Sequence, residues 1–136
     1  MRSAELVDRI EDIMVKKIVT VGPEASLATA ARLMMENRVG SVVIVKKGRL
    51  LGIVTESDFI RFASVGCDTE NSRVKDYMRK RVVSCGPSCR IVDALMIMKR
   101  RKVRHLPIMA KTKRLLGIVS LRDLIAATQL TSIYLV

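Results

Sequence analysis

The chain has little of the chemistry on which most enzymes and metal sites depend. Its 136 residues include one histidine, three cysteines, two tyrosines, two phenylalanines and no tryptophan. The cysteines Cys67, Cys85 and Cys89 are odd in number and lack CxxC spacing, which argues against a disulfide framework and a zinc site. No Ser/His/Asp, Cys/His or paired-carboxylate constellation is evident, so we expect no catalysis, no metal and no required cofactor.

Long apolar runs are also missing. No stretch approaches the roughly 20 residues that a membrane-spanning helix needs. Acidic residues interrupt residues 1–14, so these do not form the apolar centre of a signal peptide. We therefore expect a cytoplasmic protein with no membrane partner. Hydrophobic residues at 49% and charged residues at 28% exclude a disordered class and are typical of a globular protein.

Acidic residues are scarce in the second half of the chain. Residues 69–136 hold 15 Lys or Arg against 4 Asp or Glu, whereas residues 1–68 hold 10 against 9. The second half therefore favours an anion, which could be a phosphorylated small molecule, a nucleic acid or an acidic protein. A nucleic-acid-binding protein stays open as an alternative, although the few aromatic residues offer little stacking surface for single strands.

The sequence repeats itself with an offset of about 64 residues over most of its length. The order of the matches indicates a duplication. The second copy has one extra residue in its predicted hairpin, so the offset is one residue longer for the matches of Gly52-Ile53-Val54 and Asp58 than for the earlier ones. The matched pairs are Asp12-Ile13-Met14 with Asp76-Tyr77-Met78, Gly22-Pro23 with Gly86-Pro87, Gly52-Ile53-Val54 with Gly117-Ile118-Val119, and Asp58 with Asp123.

Each copy predicts the same βαββα order of elements. In the first copy the pattern predicts a helix behind a Ser26 N-cap and a hairpin turn at 46–49. The predicted strands are 18–21, 41–45 and 50–55, followed by 82–85, 106–109 and 115–120; the predicted helices begin near 27, 57, 91 and 122.

The segment between the copies predicts a linker. Residues 64–72 have little apolar periodicity, which places a boundary near Glu70 and divides the chain into domains 1–69 and 70–136. We expect this linker to tolerate insertion. Residues 3–14 have an apolar helical face, which predicts a leading helix on the first domain, and the apolar tail 130–136 is expected to cover the core or a partner subunit.

These motifs resemble the tandem CBS domain pair, often called a Bateman module. The phrases that carry the resemblance are residues 37–45 and 52–58, with their second copies 103–108 and 117–123. The resemblance covers about residues 7–127, which leaves no room within the chain for a catalytic domain. It implies an α/β fold of two CBS domains packed as a pseudo-two-fold pair, acting as a regulatory module.

The resemblance also implies a site. In this family the Asp of a Thr/Ser-x-x-Asp segment usually holds ribose hydroxyls and the hydroxyl residue lies near phosphate, in the cleft between the copies. One cleft would pair Thr55 and Asp58 with Arg81, Val83, Val103, Arg104 and His105. The other would pair Ser120 and Asp123 with Lys17, Val19, Val39 and Gly40. The first is richer in cations and is our first choice for a phosphorylated ligand.

The expected ligand is AMP, ADP, ATP or another adenosyl compound such as S-adenosylmethionine, because all of these share the ribose. The resemblance further implies a homodimer and a regulated protein partner that the sequence does not identify. A structural alternative is that each Thr/Ser-x-x-Asp segment only caps its helix, much like a capping box, in a scaffold without a ligand.

Overall fold

The computed structural model describes the backbone of residues 8–135 and the side chains of residues 8–128. The chain divides into two compact units, one of residues 17–82 and one that joins residues 8–16 to residues 83–135. Each unit holds most of one copy of the repeat, and both combine strands with helices. The predicted α/β fold of two repeats is confirmed.

The unit of residues 17–82 contains a three-stranded sheet and three helices. The sheet order is β1-β2-β3, with β1 parallel to β2 and β2 antiparallel to β3. Lys47 and Gly48 form the predicted hairpin turn with φ of 52° and 77°. The elements are β1 Thr20–Val21, α1 Leu27–Asn37, β2 Ser41–Lys46, β3 Arg49–Thr55, α2 Glu56–Ser64 and α3 Val74–Tyr77.

Helix α1 begins and ends where its sequence directs. The hydroxyl of Ser26 accepts a hydrogen bond from the backbone N–H of Thr29 at 3.0 Å, which confirms the predicted N-cap. The helix ends at Arg38, whose φ of 53° is left-handed. Its apolar face packs against the sheet and α2. The buried core of this unit is Leu27, Ala30, Met34, Val42, Ile44, Val54, Phe62 and Val74.

The other unit repeats this plan with a two-stranded antiparallel sheet. Its elements are α4 Ile91–Arg101, β4 His105–Met109, β5 Leu115–Ser120, α5 Leu121–Leu135 and a short 3-10 helix, Ile10–Asp12. The prediction of one leading α-helix over 3–14 is therefore wrong for the part from residue 8 onward; its start, and the side chains of the tail 130–136, lie outside the described residues. The buried core is Ile10, Ile91, Ala94, Met98, Leu106, Ile108, Val119 and Leu124.

The strand predicted at 82–85 is reduced to a single bridge between Cys85 and Ile108. In the first unit, the N–H of Val43 donates to the carbonyl of Val19 at 3.1 Å and so extends the contact of β1 with β2. The repeat places Pro107 at the position of Val43. Proline has no N–H to donate, so the corresponding bond is lost and the strand is shortened.

Each unit is completed by the segment that precedes the other copy of the repeat. The N–H of Leu27 donates to the carbonyl of Ser72 at 2.8 Å, and the repeat-equivalent N–H of Ile91 donates to the carbonyl of Asp8 at 2.8 Å. Both bonds satisfy an N–H in the first turn of a helix. The compact units therefore differ from the sequence division into 1–69 and 70–136, because residues 8–16 pack with the second copy and residues 70–82 with the first.

The linker is more ordered than its polar composition suggests. The carbonyls of Thr69 and Ser72 accept hydrogen bonds from Ala28 and Leu27 at the start of α1. Glu70 forms an ion pair with Arg32 on the same helix. These bonds argue against the expectation that the linker tolerates insertion, because its backbone supplies acceptors that α1 needs.

Candidate functional site

The first candidate site residues lie where β3 passes into α2. Thr55 ends the strand, and its backbone N–H donates to Oδ2 of Asp58 at 2.9 Å. The Thr55 hydroxyl donates to the same oxygen at 3.2 Å. Only 1% of the Asp58 side chain is exposed, so its carboxylate depends on hydrogen bonds from the protein.

Two arginines bind the remaining oxygen of Asp58. The Nε and Nη2 atoms of Arg79 each lie 2.9 Å from Oδ1, and Nη1 of Arg61 lies 3.2 Å from it. Neither arginine was among the predicted site residues. Arg61 follows Asp58 by three residues on a helix, a spacing that brings side chains together and could have indicated the contact. Arg79 follows the repeated Asp-x-Met motif, whose packing the sequence does not reveal.

The second candidate joint, between β5 and α5, has the same backbone geometry with fewer partners. The N–H of Ser120 donates to Oδ2 of Asp123 at 2.9 Å, and the N–H of Asp123 donates back to the Ser120 hydroxyl at 3.1 Å. Asp123 is partly exposed and, among the residues whose side chains the structure describes, it has no ion-pair partner. Its Oδ1 atom accepts no hydrogen bond from that part of the chain.

Within the unit of residues 17–82, the candidate strand residues adjoin the Thr55 joint. The carbonyl of Gly40 accepts a hydrogen bond from Glu56 at 3.0 Å, next to the pairing of Ser41 with Thr55. The carbonyl of Val19 accepts from Val43 in the same sheet. Three further candidates of this unit are exposed, namely Lys17, Val39 and Arg81.

The other unit arranges its candidates in the same way. The carbonyl of Arg104 accepts a hydrogen bond from Leu121 at 2.8 Å, which is the counterpart of the bond between Gly40 and Glu56. His105 pairs with Ser120 across the two strands. Val83 and Val103 pack against the core of this unit. Each unit thus brings its own strand residues to its own Asp joint, and the pairing of candidates across the two copies stays a prediction.

The charges of the candidate cations are open to a ligand. Lys17, Arg81 and Arg104 are exposed, and none of them forms an ion pair with another described residue. An exposed guanidinium or ammonium group is suited to phosphate oxygens. We found no group of three His, Cys, Asp or Glu that could hold a metal ion in the described part of the chain.

The cysteines do not resemble a redox or metal site. All three are free thiols of intermediate exposure. Burial raises the pKa of the Cys85 thiol to about 12, with a further contribution from the nearby Cys89. A thiol with a raised pKa is mostly protonated at neutral pH and is a weak nucleophile.

Within residues 8–135, no helix is long and apolar enough to cross a membrane.

Comparison with known proteins decides the family. The sequence model of the CBS domain family matches this chain twice, at residues 10–65 and at residues 74–129, so it covers both copies of the repeat. This chain belongs to the CBS domain family. It is 38% identical over 120 residues to an uncharacterized 17.7 kDa protein of Acidianus ambivalens, a match that covers 88% of this chain and 72% of the relative.

Two further matches show different settings for this CBS pair. The chain is 34% identical to inosine-5'-monophosphate dehydrogenase of Korarchaeum cryptofilum over 88% of this chain but only 24% of that enzyme. Among solved structures, a CBS-domain containing protein from Agrobacterium tumefaciens is 31% identical with a TM-score of 0.81, covering 88% of this chain and 98% of that one. The similarity to the dehydrogenase therefore lies in a minor part of that enzyme.

Proposed function

We propose that this CBS pair is a regulatory module that binds an adenosyl ligand and transmits its occupancy to a partner, without catalysing a reaction. The observation that supports this most is the repeated Ser/Thr-x-x-Asp joint, in which Asp123 keeps one carboxylate oxygen unbonded by the described residues. A free carboxylate oxygen can accept a hydroxyl proton from a ribose. The adjacent backbone N–H groups at the start of α5 favour an anion.

The proposed binding mode assigns separate roles to the candidate residues. The carboxylates of Asp58 and Asp123 would accept the ribose hydroxyls, and the hydroxyls of Thr55 and Ser120 would lie near phosphate. The exposed cations would then neutralise phosphate charge, while the valines would contact the base. The dehydrogenase relative supports a regulatory reading, because its similarity to this chain is confined to a quarter of an enzyme that acts on a nucleotide.

Thermal denaturation with a panel of ligands tests the proposal. The panel contains AMP, ADP, ATP, adenosine, S-adenosylmethionine and methylthioadenosine, with inorganic phosphate as the control for charge alone. A ligand at 100 times its Kd adds about 2.7 kcal/mol to the free energy of unfolding, which is a readily measured shift in Tm. If none of the six compounds shifts Tm at millimolar concentration while phosphate does, the site recognises only negative charge and the proposal is wrong.

We also propose that the chain forms a homodimer through its helices. The exposed apolar side chains Met35, Ile60, Val92 and Met96 all lie on helices and remain available to a partner surface. Light scattering should give twice the 15.2 kDa mass of one chain at micromolar concentration. A mass of one chain would contradict the dimer but would leave the ligand proposal intact.

A nucleic-acid-binding role is the second candidate. The four cations Lys99, Arg100, Arg101 and Lys102 are all exposed at the end of α4. Contacts between such cations and phosphates release counterions, so binding of this kind weakens steeply with added salt. Tight binding of a DNA duplex or an RNA that is lost between about 50 and 200 mM salt, without any response to adenosyl ligands, would favour this role.

A further inference from the structure

The two Asp joints carry the same backbone but different surroundings. Both aspartates accept the N–H of the residue that caps their helix, at 2.9 Å in each case. Asp58 is also bound by Arg79 and Arg61, whereas Asp123 has no cationic partner among the described side chains. The difference arises from two repeat positions, because Val15 stands where the other copy has Arg79 and Ala126 where it has Arg61.

The backbone at Val15 matches the backbone at Arg79. Arg79 exchanges two hydrogen bonds with Ile53, at 3.0 and 3.1 Å, and Val15 exchanges two with Ile118, at 2.8 and 3.0 Å. In both copies the preceding methionine packs against the glycine of the Gly-Ile-Val motif. A side chain at position 15 therefore starts from the same place relative to Asp123 as Arg79 does relative to Asp58.

We propose that Arg79 closes the Asp58 site by occupying its carboxylate, so that the Asp123 site is the one ready to bind an adenosyl ligand. This inference rests on the proposed function. Oδ1 of Asp58 already has three nitrogen contacts, and Oδ2 has two donors. A carboxylate offers about four lone-pair positions, so ribose hydroxyls gain access only when Arg79 moves away.

The consequence is an ordered response to the ligand. The apparent affinity of a site is its intrinsic affinity multiplied by the fraction of molecules in which that site is open, so a rarely open site binds weakly. Asp58 is nearly fully buried, and an arginine that leaves it uncovers a charge with fewer partners, which makes the open state rare. The Asp123 site fills first. The Asp58 site fills only at higher ligand concentration, although more cations were predicted around the Asp58 site than around the Asp123 site.

Calorimetric titration with AMP on single-site variants tests this order. In the Asp123→Ala background only the Asp58 site remains, and adding Arg79→Val installs the residue that the other copy has at this position. We expect Arg79→Val to tighten AMP binding at that site by at least about tenfold, because the competitor for the carboxylate is gone. Lys80→Val is the matched control, since it removes an exposed cation beside Arg79 that has no contact with Asp58.

The reciprocal variant introduces the blocking arginine into the other copy. In the Asp58→Ala background, Val15→Arg should weaken AMP binding at the Asp123 site by at least about tenfold. If Arg79→Val leaves the affinity of the Asp58 site unchanged, or changes it no more than Lys80→Val does, Arg79 does not close the site and the inference is wrong.

A ligand-free measurement separates this inference from the proposed function. Asp58→Asn should lower Tm by more than Asp123→Asn, because it weakens the bonds to two arginines. In an Arg79→Val background the loss caused by Asp58→Asn should shrink. If no adenosyl ligand binds any variant while this pattern holds, the proposed function is wrong but the contact of Arg79 with Asp58 is supported. If Asp58→Asn lowers Tm equally with and without Arg79, that contact does not stabilise the protein and the inference is wrong.

Discussion

Gly52 provides a sharp test of how the two units are built, through the substitution Gly52→Ala. A Cβ atom at this position would lie 2.5 Å from Sδ of Met78, 2.7 Å from its Cγ and 2.8 Å from the carbonyl oxygen of Arg79. Met78 can move, but the Arg79 carbonyl is held by its hydrogen bond from the N–H of Ile53 at 3.1 Å. The segment that includes α3 must therefore shift away from β3.

The shift breaks two backbone hydrogen bonds between Ile53 and Arg79, worth about 1 kcal/mol each. Lost packing of Met78 and strain around the new methyl group add about 1 kcal/mol more. We expect Gly52→Ala to lower the free energy of unfolding by about 2–4 kcal/mol in urea denaturation followed by circular dichroism.

Gly22→Ala is the matched control for this substitution. A Cβ atom on Gly22 meets no atom within 4 Å, and Gly22 is not among the glycines of positive φ. Its substitution should change stability by no more than about 0.5 kcal/mol. A loss of less than about 0.5 kcal/mol for Gly52→Ala as well would refute the close approach of Met78 and Arg79 to β3.

Four further outcomes follow from the structure. Inserting two glycines after Asp68 should cost about 1–2 kcal/mol of unfolding free energy, because the carbonyls of Thr69 and Ser72 leave the first turn of α1; an unchanged urea midpoint would mean that those bonds are dispensable. Lys102→Gly should raise the free energy of unfolding by about 0.5–1 kcal/mol, and with it Tm, because Lys102 has a left-handed φ of 55° that glycine adopts without strain; a lower Tm would contradict this. The folded state raises the pKa of Cys85 from 9.0 to about 12, so its contribution to stability is complete below pH 9 and is lost as the pH rises toward 12. Cys85→Ala should flatten the alkaline fall in Tm, and an equally steep fall would be inconsistent with that assignment. Arg104→Ala, measured in the Asp123→Ala background that retains the Asp58 site, should weaken AMP binding but spare adenosine, because only the phosphate loses a partner; equal weakening of both in titrations would remove Arg104 from the phosphate site.

The sequence predicts the repeat and the local structure well, because these depend on short-range patterns. Ser26 caps α1 as predicted, and the Lys47-Gly48 turn forms where the composition indicated. The predicted strand at 82–85 fails for a local reason, since Pro107 removes the donor that its counterpart Val43 provides. That proline is visible in the sequence, but its effect depends on the pairing of strands.

The parts that the sequence does not predict depend on long-range contacts. The bonds of Ser72 and Asp8 to the helices of opposite copies arise from backbone groups, which carry no sequence pattern. The contact of Arg79 with Asp58 spans 21 residues and requires the bridge between Arg79 and Ile53. The candidate aspartates could thus be identified from the motif, whereas their different partners required the structure.

A titration that combines a ligand change with a protein change tests the central claim most directly. AMP and 2′-deoxy-AMP are titrated into Asp58→Ala, in which only the Asp123 site remains, and into the same variant carrying Asp123→Ala, with each Kd measured by calorimetry. If Asp123 binds the ribose, 2′-deoxy-AMP should bind Asp58→Ala about tenfold more weakly than AMP does, because the carboxylate loses a hydrogen bond, and the added Asp123→Ala should abolish AMP binding. Equal Kd values for the two nucleotides in Asp58→Ala, or no binding of AMP below about millimolar, would contradict the claim that this joint is the binding site of an adenosyl ligand.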